Sequence, residues 1–237
     1  MNVLVATQGE VLVVEAGAGA MRTAAGLEGQ RPTCLAAPPL IPGRAWCGTD
    51  RGGVYRSDDG GASWKLVGLR DQRITAIAAT PAQAGRAEGG TSGEGVAAEE
   101  ETVWVGTEPS SVWYSNDGGS SWQPTRDLEE LPSSPEWSFP PRPDTHHVRW
   151  IAGHPHRPGR LWVAIEAGAL VSTTDGGRSW SDRVPGGPFD THELAIHPDR
   201  PESLHVAAGD GYFESPDGGI TWEKPRAGLD VGYLRSV

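Results

Sequence analysis

The chain has 237 residues, a formal net charge of -11 and no cluster of lysine or arginine, so nucleic acid and anionic membrane are poor expectations for partners. With 33 glycines, 20 prolines and 10 tryptophans it reads as one large all-β domain of many short strands and turns. No apolar run approaches the ~18 residues of a membrane span, residues 1–20 lack the basic start of a signal peptide, and Cys34 and Cys47 make no disulfide framework.

In chain order, VLVATQ (3–8) and GEVLVVE (9–15) read as two strands of an incomplete unit. The pattern then becomes regular. A first strand, TCLAA (33–37), is closed by Pro38, since proline ends a strand but does not sit inside a sheet. A second, RAWCGTD (44–50), ends in an acidic turn, and a third, GGVYR (52–56), runs into SDDGGASW (57–64). The same order returns three times. The first strands are ITAIAAT (74–80), VRWIAGH (148–154) and THELAIH (191–197), closed by Pro81, Pro155 and Pro198. The second strands are TVWVGTE (102–108), RLWVAIE (160–166) and SLHVAAGD (203–210), and the third are SSVWY (110–114), ALVS (169–172) and GYFE (211–214). Trp46, Trp104, Trp162 and His205 hold equivalent places in the second strands, expected to pack between units.

Two segments exceed a four-stranded unit of roughly 40–45 residues. Residues 82–101, rich in Gly, Ala and Glu without aromatics, read as a mobile surface loop. Residues 124–146 carry Trp137 and Phe139 among prolines and read as an ordered flap. VGYLRSV (231–237) reads as a first strand with nothing after it, which either closes on the N-terminal unit or marks a chain that stops short of further units. The expected divisions are a partial unit at 1–30, units at 31–70, 71–126, 145–184 and 190–226, and the closing strand at 231–237.

The four segments SDDGGASW (57–64), SNDGGSSW (115–122), TTDGGRSW (173–180) and SPDGGITW (215–222) share the pattern [ST]-x-D-G-G-x-[ST]-W. Asp-Gly-Gly is hairpin chemistry, because Asp bonds neighbouring amides and glycine accepts the positive φ of a tight turn. The tryptophan opens the return strand and packs its ring over the hairpin.

These segments resemble the Asp-box, or BNR, repeats of sialidase-like β-propellers. The chain looks similar to bacterial photosystem II assembly factor-like and BNR glycosyl hydrolase-like proteins. The resemblance implies a β-propeller of about five four-stranded antiparallel blades with Asp-box hairpins. It assigns Asp59, Trp64, Asp117, Trp122, Asp175, Trp180, Asp217 and Trp222 a structural role on the face away from any active site. It does not extend to a sialidase site: Pro42-Gly43-Arg44 precedes the first box where that family has Arg-Ile-Pro, and Tyr55, Tyr114 and Tyr212 sit in third strands, with only Tyr233 near a first strand.

In such blades the turns after second strands and the linkers share the face opposite the boxes. There the sequence offers Asp50, Glu108, Glu166 and Asp210, then Asp144, His146, His147 and Arg149 from DTHHVR, Asp190 and His192 from a second DTH, and Arg73 and Arg235 nearby, with Trp137 leading in from the flap. Three readings remain open: solvated turn residues; the rim of a binding site for a protein or glycan; or a glycoside hydrolase in which Glu108, Glu166 and Asp50 supply the carboxyl pair. A binding or assembly scaffold is the expected function and an exo-glycosidase-like hydrolase the alternative. Neither metal nor cofactor is expected, since no tight two-histidine spacing supports a His/carboxylate site. The expected compartment is the cytoplasm, with both thiols reduced.

Overall fold

The computed structural model describes residues 2–17, 20–38, 41–82, 101–230 and 232–237. They form five antiparallel sheets, each built from strands consecutive in sequence. Blade 1 holds β1 (Asn2–Ala6), β2 (Val11–Gly17) and β3 (Ala20–Gly26). Blade 2 holds β4 (Pro32–Ala36), β5 (Ala45–Thr49), β6 (Gly53–Ser57) and β7 (Lys65–Gly68). Blade 3 holds β8 (Arg73–Pro81), β9 (Glu101–Glu108), β10 (Val112–Ser115) and β11 (Gln123–Pro124). Blade 4 holds β12 (Val148–Gly153), β13 (Leu161–Ile165) and β14 (Ala169–Thr173), and blade 5 holds β15 (Thr191–His197), β16 (Arg200–Ala208) and β17 (Gly211–Ser215). The outermost strand of blades 4 and 5 shrinks to one bridge each, Ser172 with Ser181 and Glu214 with Glu223. β1 packs on β4, β4 on β8, β8 on β12 and β12 on β15, so consecutive blades meet through their inner strands. This is the expected β-propeller of about five blades.

The second strands carry the core. β5 and β13 are buried along their whole length because each sheet is covered on both faces by its neighbours. Trp46 and Trp104 are fully buried and Trp162 nearly so. The Trp162 ring N–H donates to the Gly218 carbonyl in the next blade's Asp box at 2.9 Å. A Cβ on Gly119, in the box of blade 3, would lie 3.2 Å from the Trp46 ring. At the matching register His205 is partly exposed and shares a hydrogen bond of 2.8 Å with Tyr212.

All four Asp boxes close in the same way. In the first, the Ser57 hydroxyl donates to Asp59 Oδ1 at 2.8 Å and accepts the Gly61 amide at 2.8 Å. The Ser63 amide and hydroxyl donate to the two oxygens of the same carboxylate. Asp117, Asp175 and Asp217 repeat the set with Ser115 and Ser121, Thr173 and Ser179, and Ser215 and Thr221. Three of the box tryptophans then lean on a glycine of the preceding blade or its linker: Trp64 on Gly26, Trp122 on Gly68 and Trp222 on Gly187.

Several expectations need correction. Residues 83–100 of the expected surface loop lie outside the described residues, but Glu101 belongs to β9. It is 2% exposed and receives Arg44 at 2.8 Å and the Trp46 ring N–H at 3.3 Å. Residues 232–237 form no strand: the Leu234 amide donates to the Ala208 carbonyl of blade 5 at 3.0 Å, and the Tyr233 ring meets His192 at a tilt with centroids 5.0 Å apart, so this segment is held against blade 5. Blade 1 gains β3, which pairs with β2. Cys34 and Cys47 are unbridged, and burial pushes both thiols up. Among the described residues no helix is long and apolar enough to cross a membrane.

The flap at 124–146 is held by two 3-10 turns, Leu128–Glu130 and Ser134–Glu136. Asp182 accepts the Ser133 amide and hydroxyl. Leu128, Leu131 and Trp137 enter the same core cluster as Trp104 and Ile165. Trp137 is therefore core, not rim: it is 6% exposed and its ring N–H donates to the Ser133 hydroxyl at 2.9 Å.

Candidate functional site

On the face opposite the Asp boxes the turns after β5, β9 and β13 and the starts of β4, β8 and β12 surround a cavity of about 760 Å³. Its wall includes Asp50, Arg73, Glu108, His147, Arg149, Glu166 and Arg235 from the expected set. It also includes Phe139 of the flap, and Arg31 and Arg142, which were not among the expected site residues.

Two polar clusters make up the wall. In the first, charges alternate across blades 2 and 3. Arg31 reaches Asp50 at 2.8 Å, Arg73 bridges Asp50 at 2.9 Å and Glu108 at 3.3 Å, and Arg142 grips both Glu108 oxygens, one at 2.9 Å and the other at 2.5 Å. Burial pushes the Glu108 carboxyl up, but the hydrogen bonds and charges of Arg142 and Arg73 outweigh it and hold it below the usual range. Burial likewise pulls the Arg73 guanidinium down, and Asp50 and Glu108 more than restore it, leaving it above its ordinary value. Arg142 also lies over the Phe139 ring, 4.7 Å from its centroid, and Phe139 meets the His147 ring edge-on at 4.6 Å.

The second cluster joins blades 4 and 5. His147 Nε2 lies 3.0 Å from Glu166 Oε2, and Arg149 Nε lies 3.6 Å from the same oxygen. Burial raises the Glu166 carboxyl, and the hydrogen bond with His147 together with the Arg149 charge lowers it further than burial raises it. Close by, Asp190 and His192 approach at 3.7 Å, and donor atoms of Glu166, Asp190 and His192 lie within 4.8 Å of one another.

The remaining candidates lie elsewhere. His146 turns away from the cavity to meet the Trp137 ring at 5.6 Å and accepts the Ser110 amide at 3.4 Å; burial lowers it. Asp144 is exposed on the flap. Asp210 lines a separate cleft with Tyr212 and Lys224, and Lys224 approaches it at 3.8 Å. Arg31 lies at the start of a first strand, as Arg73 and Arg149 do, a positional signal the sequence contained. Arg142 has no such signal, since its partner Glu108 is 34 residues away.

The pattern of the BNR/Asp-box repeat family matches residues 55–66. No curated protein matches the chain. Among solved structures, a GH74 xyloglucanase from Xanthomonas campestris is 20% identical over 92% of this chain and 34% of its own, with a TM-score of 0.59. YCF48 from Cyanidioschyzon merolae is 15% identical over 84% of this chain and 57% of its own, with a TM-score of 0.54. The extracellular domain of the putative hybrid two component system BT4673 from B. thetaiotaomicron is 12% identical over 99% of this chain and 28% of its own, at 0.64. The chain thus spans about a quarter to a third of the GH74 enzymes it matches. At these identities the likeness is one of fold. With five consecutive antiparallel blades and four boxes closed by the same hydroxyl and amide bonds, the chain is a β-propeller that carries a BNR/Asp-box repeat.

Proposed function

We propose that the chain is a non-catalytic binding scaffold whose ligand seats in the cavity opposite the Asp boxes. The observation that carries this reading is the Arg31–Asp50–Arg73–Glu108–Arg142 chain, in which each carboxylate is already met by two guanidiniums. A glycoside hydrolase needs one carboxyl that keeps its proton near neutral pH to protonate the leaving oxygen. Glu108 is shifted the other way, and a guanidinium occupies the space between it and Asp50.

The ligand class follows from the same wall. Five arginines face three carboxylates there, in a chain whose overall charge is -11. Arg31 and Arg142 are half or more exposed along their side chains and Arg149 more than a third, so each has donors to spare for an incoming group. Guanidinium forks favour planar carboxylates, and we assign the site to an acidic segment of a partner protein. The test is calorimetric titration with a panel of short acidic, neutral and basic peptides, alongside incubation with xyloglucan and aryl glycosides. Binding restricted to acidic peptides, weakened by salt and at least tenfold weaker in Arg31→Ala with Arg149→Ala, is the expected result. Glycoside turnover that disappears in Glu108→Gln would replace the scaffold with the hydrolase.

A further inference from the structure

We propose that Glu166, Asp190 and His192 bind one divalent first-row cation, of the zinc or manganese kind, between blades 4 and 5. A carboxylate oxygen from each acid and a ring nitrogen of His192 lie within 4.8 Å of one another. The placement follows from strand geometry. Asp190 and His192 flank Thr191 at the start of β15, where a bulge interrupts the pairing with β16 between Thr191 and Glu193, and both side chains come up to Glu166. Glu166 comes from the turn that ends β13.

The histidine supplies an independent observation. It is 98% buried, and its Nδ1 lies 2.5 Å from the Leu234 carbonyl. A carbonyl only accepts, so Nδ1 carries the proton. Nε2 is left pointing at Asp190 Oδ2 from 3.7 Å, too far for a hydrogen bond. With its proton on Nδ1, the ring aims the Nε2 lone pair at that carboxylate. A cation between them satisfies both.

The outer atoms of all three side chains are held in place. Asp190 Oδ1 accepts the Ala167 amide at 2.9 Å, Glu166 Oε2 meets His147 Nε2 at 3.0 Å, and His192 Nδ1 meets Leu234. Fixing the distal atom of each ligand in this way is how proteins orient metal ligands. Gly209 makes the room, for a Cβ there would lie 1.9 Å from Asp190 Oδ2. Two carboxylates and one imidazole suit zinc or manganese rather than the all-oxygen preference of calcium or magnesium. Bonds of about 2.0–2.2 Å draw the three donors together by roughly an ångström. The cation ties blade 4 to blade 5 and, through His192, to the C-terminal segment. Glu166 also lines the cavity, but a titration with zinc alone needs no partner there, so failure of the cation site and failure of the scaffold are told apart.

The test is titration of the tag-free, chelator-stripped full chain with zinc chloride in a calorimeter, followed by thermal unfolding with and without zinc. One equivalent bound, weakened at least tenfold by Asp190→Asn and by Glu166→Gln, with a melting temperature raised by zinc in the unmodified chain alone, is the expected result. His146→Gln, in the other Asp-Thr-His, leaves binding unchanged. The two carboxamide variants keep shape and volume, and circular dichroism verifies their fold. No saturable binding by the unmodified chain, or a single equivalent that both variants retain, overturns the site and leaves an imidazole beside two acids.

Discussion

Each Asp-box aspartate receives a hydroxyl from both ends of its turn and at least one backbone amide, so its ionised form is tied to the folded hairpin. For Asp59 the Ser63 hydroxyl and amide, helped by Ser57, hold the carboxyl down at about 2. For Asp175 burial pushes up, but Ser179 and Thr173 outweigh it, and the result is again about 2. An unfolded aspartate titrates near ~3.9. A carboxyl depressed on folding adds stability that is fully present above the unfolded value and is lost as pH falls toward the folded one. Urea midpoints should therefore hold steady from pH 7 to 5 and drop between about pH 4 and 2, with a smaller drop in Asp59→Asn. Asp175→Ala, which leaves the buried Thr173 hydroxyl without its acceptor, should cost roughly 1–2 kcal/mol at neutral pH.

At the scale of elements, the tryptophan of a box locks its hairpin to the blade before it. Gly26 ends β3, and a Cβ there would stand 2.9 Å from the Trp64 ring nitrogen. Gly26→Ala should therefore lose about 1–3 kcal/mol through overpacking, measured by urea unfolding. Gly9→Ala, with nothing within 4 Å of the new methyl, should stay within about 0.5 kcal/mol. The boxes were legible because their whole bonding set lies within eight residues. β3 was not, because AMRTAAG offers neither an alternation nor a box behind it, and only pairing with β2 makes it a strand. Trp137 misled for a related reason: an aromatic among prolines can face the cavity or pin the flap, and only the pocket formed with Ser133 and Gly168 decides. The two Asp-Thr-His segments look alike in sequence. They diverge because the first belongs to the flap and the second enters a strand.

For the whole molecule, the fourfold repeat of the box, with the same order of strands before each, made the propeller readable, and blade order then placed Asp50, Glu108 and Glu166 around one mouth. What the sequence could not convey was the charge state of Glu108. That depends on Arg142 and Arg73, and Arg142 meets Glu108 only after the flap folds back over blade 3. The acidic chain presents an arginine-lined cavity, and the difference between a scaffold and a hydrolase comes down to whether any carboxyl there keeps a proton. The most direct measurement is the titration of the Glu108 side-chain carbon by NMR, in the unmodified chain and in Arg142→Ala. Glu108 is expected to titrate below the ordinary glutamate value of ~4.3 and to move up when Arg142 is removed. A Glu108 that titrates near neutrality in the unmodified chain would contradict the scaffold and mark a general acid.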